Sequence, residues 1–118
     1  MTNVPNPQEI MRMMINNGNL LSDKNVELIE LARKKSESES AYRIALRVEI
    51  LKLRASGMSV TLTADLARGD KIVAGLKLER DIAEGVYDAC RDRIRGLRSH
   101  IEVLRSILTW QRAELGGQ

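Results

Sequence analysis

Aromatic side chains are nearly missing from this sequence of 118 residues, which has no phenylalanine, one tryptophan and two tyrosines. Antiparallel sheets and closed ligand pockets draw heavily on aromatic and β-branched residues, so the scarcity argues against both and favours helices. Proline is equally rare. Pro5 and Pro7, the two present, stand near the start and leave the remainder free to be helical. One cysteine, Cys90, excludes an internal disulfide framework and a cysteine-based metal site. No apolar run approaches the length that spans a bilayer and no signal peptide precedes the first helix, so a cytoplasmic protein without a membrane partner is expected. A net charge of +3 permits nucleic-acid or acidic partners without demanding them.

What the sequence does possess is a sustained seven-residue beat. Leu76, Ala83, Cys90, Leu97 and Leu104 stand seven apart, and Val73, Tyr87, Ile94, Ile101 and Leu108 keep the same beat between them. With Val73 as position a, the Leu76 series falls at d, and Arg80 is the one charged residue in the a series. This spacing predicts one long helix with a narrow apolar seam made for another helix. Without a proline from Asp70 to Glu114, it would be roughly 65 Å long at the helical rise.

Upstream, Asn6-Pro7-Gln8-Glu9 is a helix start signal, with Asn at the cap and Pro at the first helical position. Asn16-Asn17-Gly18-Asn19 predicts a stop, giving a short helix over 7–16. Its Ile10, Met11, Met13, Met14 and Ile15 cover most of the circumference and need a cover, from the fold or from a partner. As a methionine-rich helix it is a candidate partner-docking element. A second helix over 22–56, capped by Ser22 or Asp23, would end at Gly57 in the C′ position. Its stretch from Arg33 to Ser40 is polar on all sides. Continuous solvated helix is the preferred reading there, with a break between two shorter helices as the alternative. Beyond it, the stripe Ala41, Ile44, Val48, Leu51, Ala55 lies beside Tyr42, Leu46, Ile50, Leu53, a face wider than one helix can cover.

Residues 57–70 read as a connector with one helical turn, capped by Thr61 or Thr63 and ended by Gly69. Asp70 then caps the heptad helix over 71–114. A connector this short sets the two long helices antiparallel. The expected fold is a single all-α domain over 1–118, a short N-terminal helix plus a long antiparallel, coiled-coil-like helical hairpin. A hairpin alone buries little, so it is expected to self-associate through the seam and the wide face, as a homodimer or higher, into a helical bundle.

No constellation of catalytic groups emerges, and no cofactor or metal is expected. His100 falls at position g beside the seam, and Cys90 at d reads as a small core residue. Glu84, Asp88 and Asp92 are four apart but lack the Glu-x-x-His element of helical di-metal sites. Arg91, Arg98, Arg105 and Arg112 all fall at e, with Arg95 on a neighbouring strip. This ridge can track phosphates with salt-sensitive, sequence-tolerant binding. Alternatively it pairs across a helix interface with Glu27, Glu30, Glu37, Glu39 or Glu49, the more economical reading for e positions. Arg80 either fixes register or marks a polar pocket near the connector with Thr61, Thr63 and Asp65.

Tyr42-Arg43, Leu53-Arg54-Ala55-Ser56-Gly57-Met58, Val60-Thr61-Leu62, Asp65-Leu66-Ala67-Arg68-Gly69-Asp70, and Arg80-Asp81 with Ala83 and Tyr87 form a pattern over roughly residues 40–108. It resembles small helical proteins of unassigned function encoded by phages and prophages, chiefly of Gram-positive bacteria. The resemblance implies a phage accessory protein in the cytoplasm of an infected or lysogenic cell, and brings no catalytic motif. The expected function is non-enzymatic, binding protein or nucleic acid in DNA replication or recombination. The alternatives are a phage inhibitor that occupies the surface of a host defence system or host enzyme, and a virion assembly or structural protein.

Overall fold

The structure is a computed structural model that describes residues 5–116, and those residues form an all-helical chain. Three helices follow one another: α1 over Pro7–Ala55, α2 over Val60–Gly69 and α3 over Lys71–Gly116. No helix among the described residues is long and apolar enough to cross a membrane.

Where two helices were expected over 7–16 and 22–56, α1 is unbroken. The Asn-Asn-Gly-Asn stop is overridden because α1 carries a heptad face of its own. Ile10, Met14, Asn17, Leu21, Lys24, Leu28, Leu31, Lys35, Ser38, Tyr42, Ala45 and Glu49 alternate by four and three, and each is buried or half-buried. Asn17 uses its amide on that face, 2.8 Å from His100 Nδ1, so a residue read as a helix breaker becomes a contact. The polar stretch 33–40 is helical as well. There Arg33 bridges Glu30 and Glu37, and Arg43 reaches back to Glu39 at 2.7 Å, the spacing at which ion pairs support an exposed helix.

The ends are capped by side chains. Asn6 Oδ1 accepts from the Glu9 amide at 2.9 Å while its own Nδ2 donates to the Glu9 carboxylate. At the far end of α1 the Gly57 and Met58 amides donate to the carbonyls of Arg54 and Leu53. Gly57 has φ +89°, so this is a Schellman cap whose left-handed residue favours glycine. The connector holds a ten-residue helix rather than one turn. Its cap is Ser59, whose Oγ accepts from the Leu62 amide, rather than Thr61 or Thr63. Asp70 Oδ2 accepts from the Ile72 and Val73 amides at 3.1 and 3.2 Å and starts α3.

The chain divides into two compact units. The first combines the described residues up to Leu28 with those from Ala89 onward, and the second is Ile29–Asp88. In the first, Cys90 Sγ donates to the Lys24 carbonyl at 3.6 Å, Asn17 meets His100, and Gln111 Nε2 donates to the Pro5 carbonyl at 3.0 Å. These pairs descend α1 as they climb α3, so the two segments are antiparallel. Ile10, Cys90, Ile94, Leu97 and Leu104 are buried there, each large one contributing ~1.5–3 kcal/mol relative to exposure.

In the second unit, Tyr42, Thr63, Ala67 and Val73 are buried. Two cation–π contacts link its long segments: Lys35 Nζ lies 4.5 Å from the Tyr87 ring centre, and the Arg80 guanidinium 4.6 Å from that of Tyr42. Each helix supplies one cation and one ring, a favourable arrangement where the charge is partly desolvated.

The seam is therefore used differently from the expectation that copies of the chain meet along it. Val73, Cys90, Ile94, Leu97 and Leu104 are buried, and Leu76, Ala83, Tyr87, Ile101 and Leu108 half-buried, by the chain's own residues. The heptad face of α1 supplies the complementary surface.

Candidate functional site

The second unit concentrates its charge around Arg80. That guanidinium donates to Asp81 Oδ1 at 3.0 and 3.1 Å, approaches Glu39 Oε2 at 3.4 Å and covers the Tyr42 ring. The hydrogen bonds to Asp81 hold its pKa above the ordinary arginine value. Arg80 thus ties α3 to α1, a fixed position for a charged residue in an apolar seam.

Beside it an open groove of about 490 Å³ runs along α1, lined by Glu39, Tyr42, Arg43, Leu46, Arg47, Ile50, Leu51, Arg54 and Arg80. Four guanidiniums face one carboxylate. Glu39 is shared between Arg43 and Arg80, so Arg47 and Arg54 leave the groove basic. Arg43, Arg47 and Arg54 are not among the residues expected from the sequence to form a site. Their spacing carried the signal: positions i, i+4 and i+11 fall within about 40° on a helix. The groove can hold an anionic surface by charge-assisted hydrogen bonds, with apolar contact from Leu46, Ile50 and Leu51.

The residues expected to form a polar pocket take separate roles. Thr63 is buried and its hydroxyl donates to the Ser59 carbonyl at 2.7 Å, while Thr61 and Asp65 are exposed on α2. Arg80 faces α1. Thr61 and Asp65, one turn apart, share the exposed side of α2, and Thr63 lies on its opposite, buried side.

The arginine ridge lies on α3 in the first unit. Arg91 is half-buried, while Arg95, Arg98, Arg105 and Arg112 are exposed. Arg95 pairs with Asp92 at 3.8 Å and Arg105 with Glu102 at 3.0 Å, both on α3 itself. Four of the five glutamates expected as cross-helix partners are engaged elsewhere: Glu27 by Lys24 at 2.9 Å, Glu30 and Glu37 by Arg33, and Glu39 by Arg43 and Arg80.

On the expected docking helix, Ile10 is fully buried and Met13 and Met14 are half-buried. They belong to the face of α1 turned towards α3. Met11 and Ile15, one turn apart, remain exposed. His100 is exposed and bonded to Asn17, and the Cys90 thiol is buried. Among the described residues, no three or more His, Cys, Asp or Glu side chains gather as a metal site would.

A further feature of the second unit is apolar. Ile44, Val48 and Leu51 on α1, Leu62 and Leu66 on α2, and Leu78, Ile82 and Val86 on α3 are all exposed within the second unit. A shallow groove of about 300 Å³ borders the last of these stripes, lined by Leu31, Lys34, Glu79, Ile82, Ala83 and Val86. Comparison with known proteins finds no matching family model, no matching curated protein and no matching solved structure.

Proposed function

We propose that this chain is a non-enzymatic binding protein, built as an antiparallel helical hairpin that self-associates, and that it serves a phage as an accessory in DNA replication or recombination. The observation that carries the reading is the ordered exposure of large apolar side chains on residues 29–88. Contiguous exposed apolar stripes of this kind mark interaction surfaces. The antiparallel pairing inside each unit supports the hairpin. The employment of His100 and Cys90 in packing and hydrogen bonding supports a role without catalysis. The setting rests on the resemblance of the residue pattern over 40–108 to phage and prophage proteins. Sedimentation equilibrium of the purified chain over a range of concentrations tests the core of this reading: a mass of two or more chains is expected, and a monomer throughout refutes it.

Contact with nucleic acid is favoured by one further observation. Four of the five glutamates that were to neutralise the α3 ridge are occupied by basic residues of α1 or by Arg80. Arg95, Arg98, Arg105 and Arg112 are exposed, two of them paired with acids of α3 itself. Titration into labelled single- and double-stranded DNA is expected to show binding that weakens steeply with salt. Arg95→Glu with Arg98→Glu should abolish it without changing helicity. Equal affinity of that variant and the parent would remove the ridge from any role in binding.

A further inference from the structure

We infer that copies of this chain join head to tail, with the outer face of α1 in one copy docking on the outer face of α3 in the next. This rests on the self-association proposed above and names the two surfaces that meet. On α1 the stripe is Ile44, Val48 and Leu51; on α3 it is Leu78, Ile82 and Val86. All six are 46–62% exposed, and each set is spaced by threes and fours, as for a helix that packs on another.

The two stripes differ in the charge around them. Residues 41–55 carry Arg43, Arg47, Lys52 and Arg54 against Glu49, while residues 78–88 carry Glu79, Asp81, Glu84 and Asp88 against Arg80. On the flanks of the stripes themselves, Arg43, Arg47, Lys52 and Arg54 make the first surface basic, and Glu79 and Asp81 make the second acidic. Two α1 stripes would repel, and so would two α3 stripes, whereas α1 on α3 is matched in charge and in apolar length. The shallow groove of Leu31, Ala83, Ile82 and Val86, with Lys34 and Glu79 at its sides, gives the acidic surface a recess for side chains of the basic one.

The position of the stripes decides the symmetry. Tyr42 lies under Arg80, so these two residues mark the faces that α1 and α3 turn towards each other. At about 100° per residue, Ile44 and Leu51 lie about 200° and 180° around α1 from Tyr42. Leu78 and Ile82 each lie about 160° around α3 from Arg80. Each stripe therefore faces away from the other helix, and the two occupy opposite edges of this unit. A two-fold axis that brings α1 of one copy onto α3 of another must also bring the second α1 onto the first α3, and stripes on opposite edges cannot meet in both places at once. Each contact leaves one sticky edge at either end, which is a heterologous interface, and it builds a ring or a filament.

Complementation of one-sided variants tests this. Val48→Glu places a carboxylate where the acidic stripe must dock, and Ile82→Arg places a guanidinium where the basic stripe must dock. Each variant alone is expected to sediment as a monomer with unchanged helicity. An equimolar mixture is expected to give the mass of two chains and no more, because each variant keeps the edge the other has lost. The parent chain grows beyond two chains with concentration. Either variant retaining the parent's mass on its own, or a mixture that stays monomeric, overturns head-to-tail joining while leaving self-association standing. A parent chain that is itself monomeric overturns both. Ile44→Ser with Leu51→Ser, and Leu78→Ser with Ile82→Ser, remove apolar contact without adding charge. They must complement each other in the same way, which keeps the test decisive if a new charge disturbs a helix.

Discussion

Arg33, Arg80 and Lys35 show how single charged residues are placed in this chain. Arg33 sits between Glu30 and Glu37 on one exposed face of α1, and its hydrogen bonds pull the Glu30 carboxyl below the usual carboxylate range. Because the folded value lies below the unfolded one, what the pair adds to stability is fully present above the ordinary glutamate pKa. It is lost as pH falls through the lowered folded value. Nuclear magnetic resonance titration of the Glu30 side chain should give a midpoint below that of an unpaired glutamate, and Arg33→Ala should return it to the ordinary range. A normal midpoint in the parent chain would contradict the pairing. Lys35 and Arg80 illustrate the opposite lesson. Both stand in heptad faces where an apolar residue is the usual occupant, and each covers a tyrosine of the other helix. The sequence announces the charge at Arg80 but not its ring, because Tyr42 lies 38 positions away on another helix.

At the scale of the element, the helices themselves were legible and their limits only in part. The heptads of α3, the cap at Asp70 and the glycine at C′ of α1 are local signals, and the structure places each where local chemistry puts it. The continuity of α1 was hidden by its composition. Asn17, Lys24, Lys35, Ser38 and Glu49 interrupt its apolar period, and a stop motif at 16–19 carries the strongest turn residues in the chain. Tertiary contacts along that face outweigh the local preference. A single substitution tests the point. Gly18 lies in the helix interior, and a Cβ built there meets nothing within 4 Å. Gly18→Ala should therefore stabilise the chain by ~0.5–1 kcal/mol in denaturant unfolding. If residue 18 instead terminated a short helix in a left-handed conformation, the same change would destabilise it. The full length of α2 starts from Ser59, which takes the cap in place of Thr61 or Thr63, while the hydroxyl of Thr63 is spent inside the helix on the Ser59 carbonyl.

For the whole molecule, the all-helical class followed from what the composition withholds, while the candidate surfaces did not. The seam that stands out in the sequence is buried or half-buried by the chain itself, so the most regular apolar pattern is less available to a partner than the exposed stripes. The surfaces left exposed are shorter and less regular. Of the wide face foreseen over 41–55, Tyr42 turns inward and Ile44, Val48 and Leu51 turn out. The α3 stripe of Leu78, Ile82 and Val86 was obscured by the stronger heptad running beside it. The arginines of α1 fall among apolar residues rather than in a run, which hides their common side in the sequence. Hydroxyl-radical footprinting across a dilution series measures most directly whether these exposed faces are the working surfaces. Side chains of Ile44, Leu51, Leu78 and Ile82 should be protected at high concentration and become reactive on dilution, while exposed Trp110 and Val103 stay equally reactive throughout. Reactivity of the four that does not change with concentration would contradict self-association through residues 29–88.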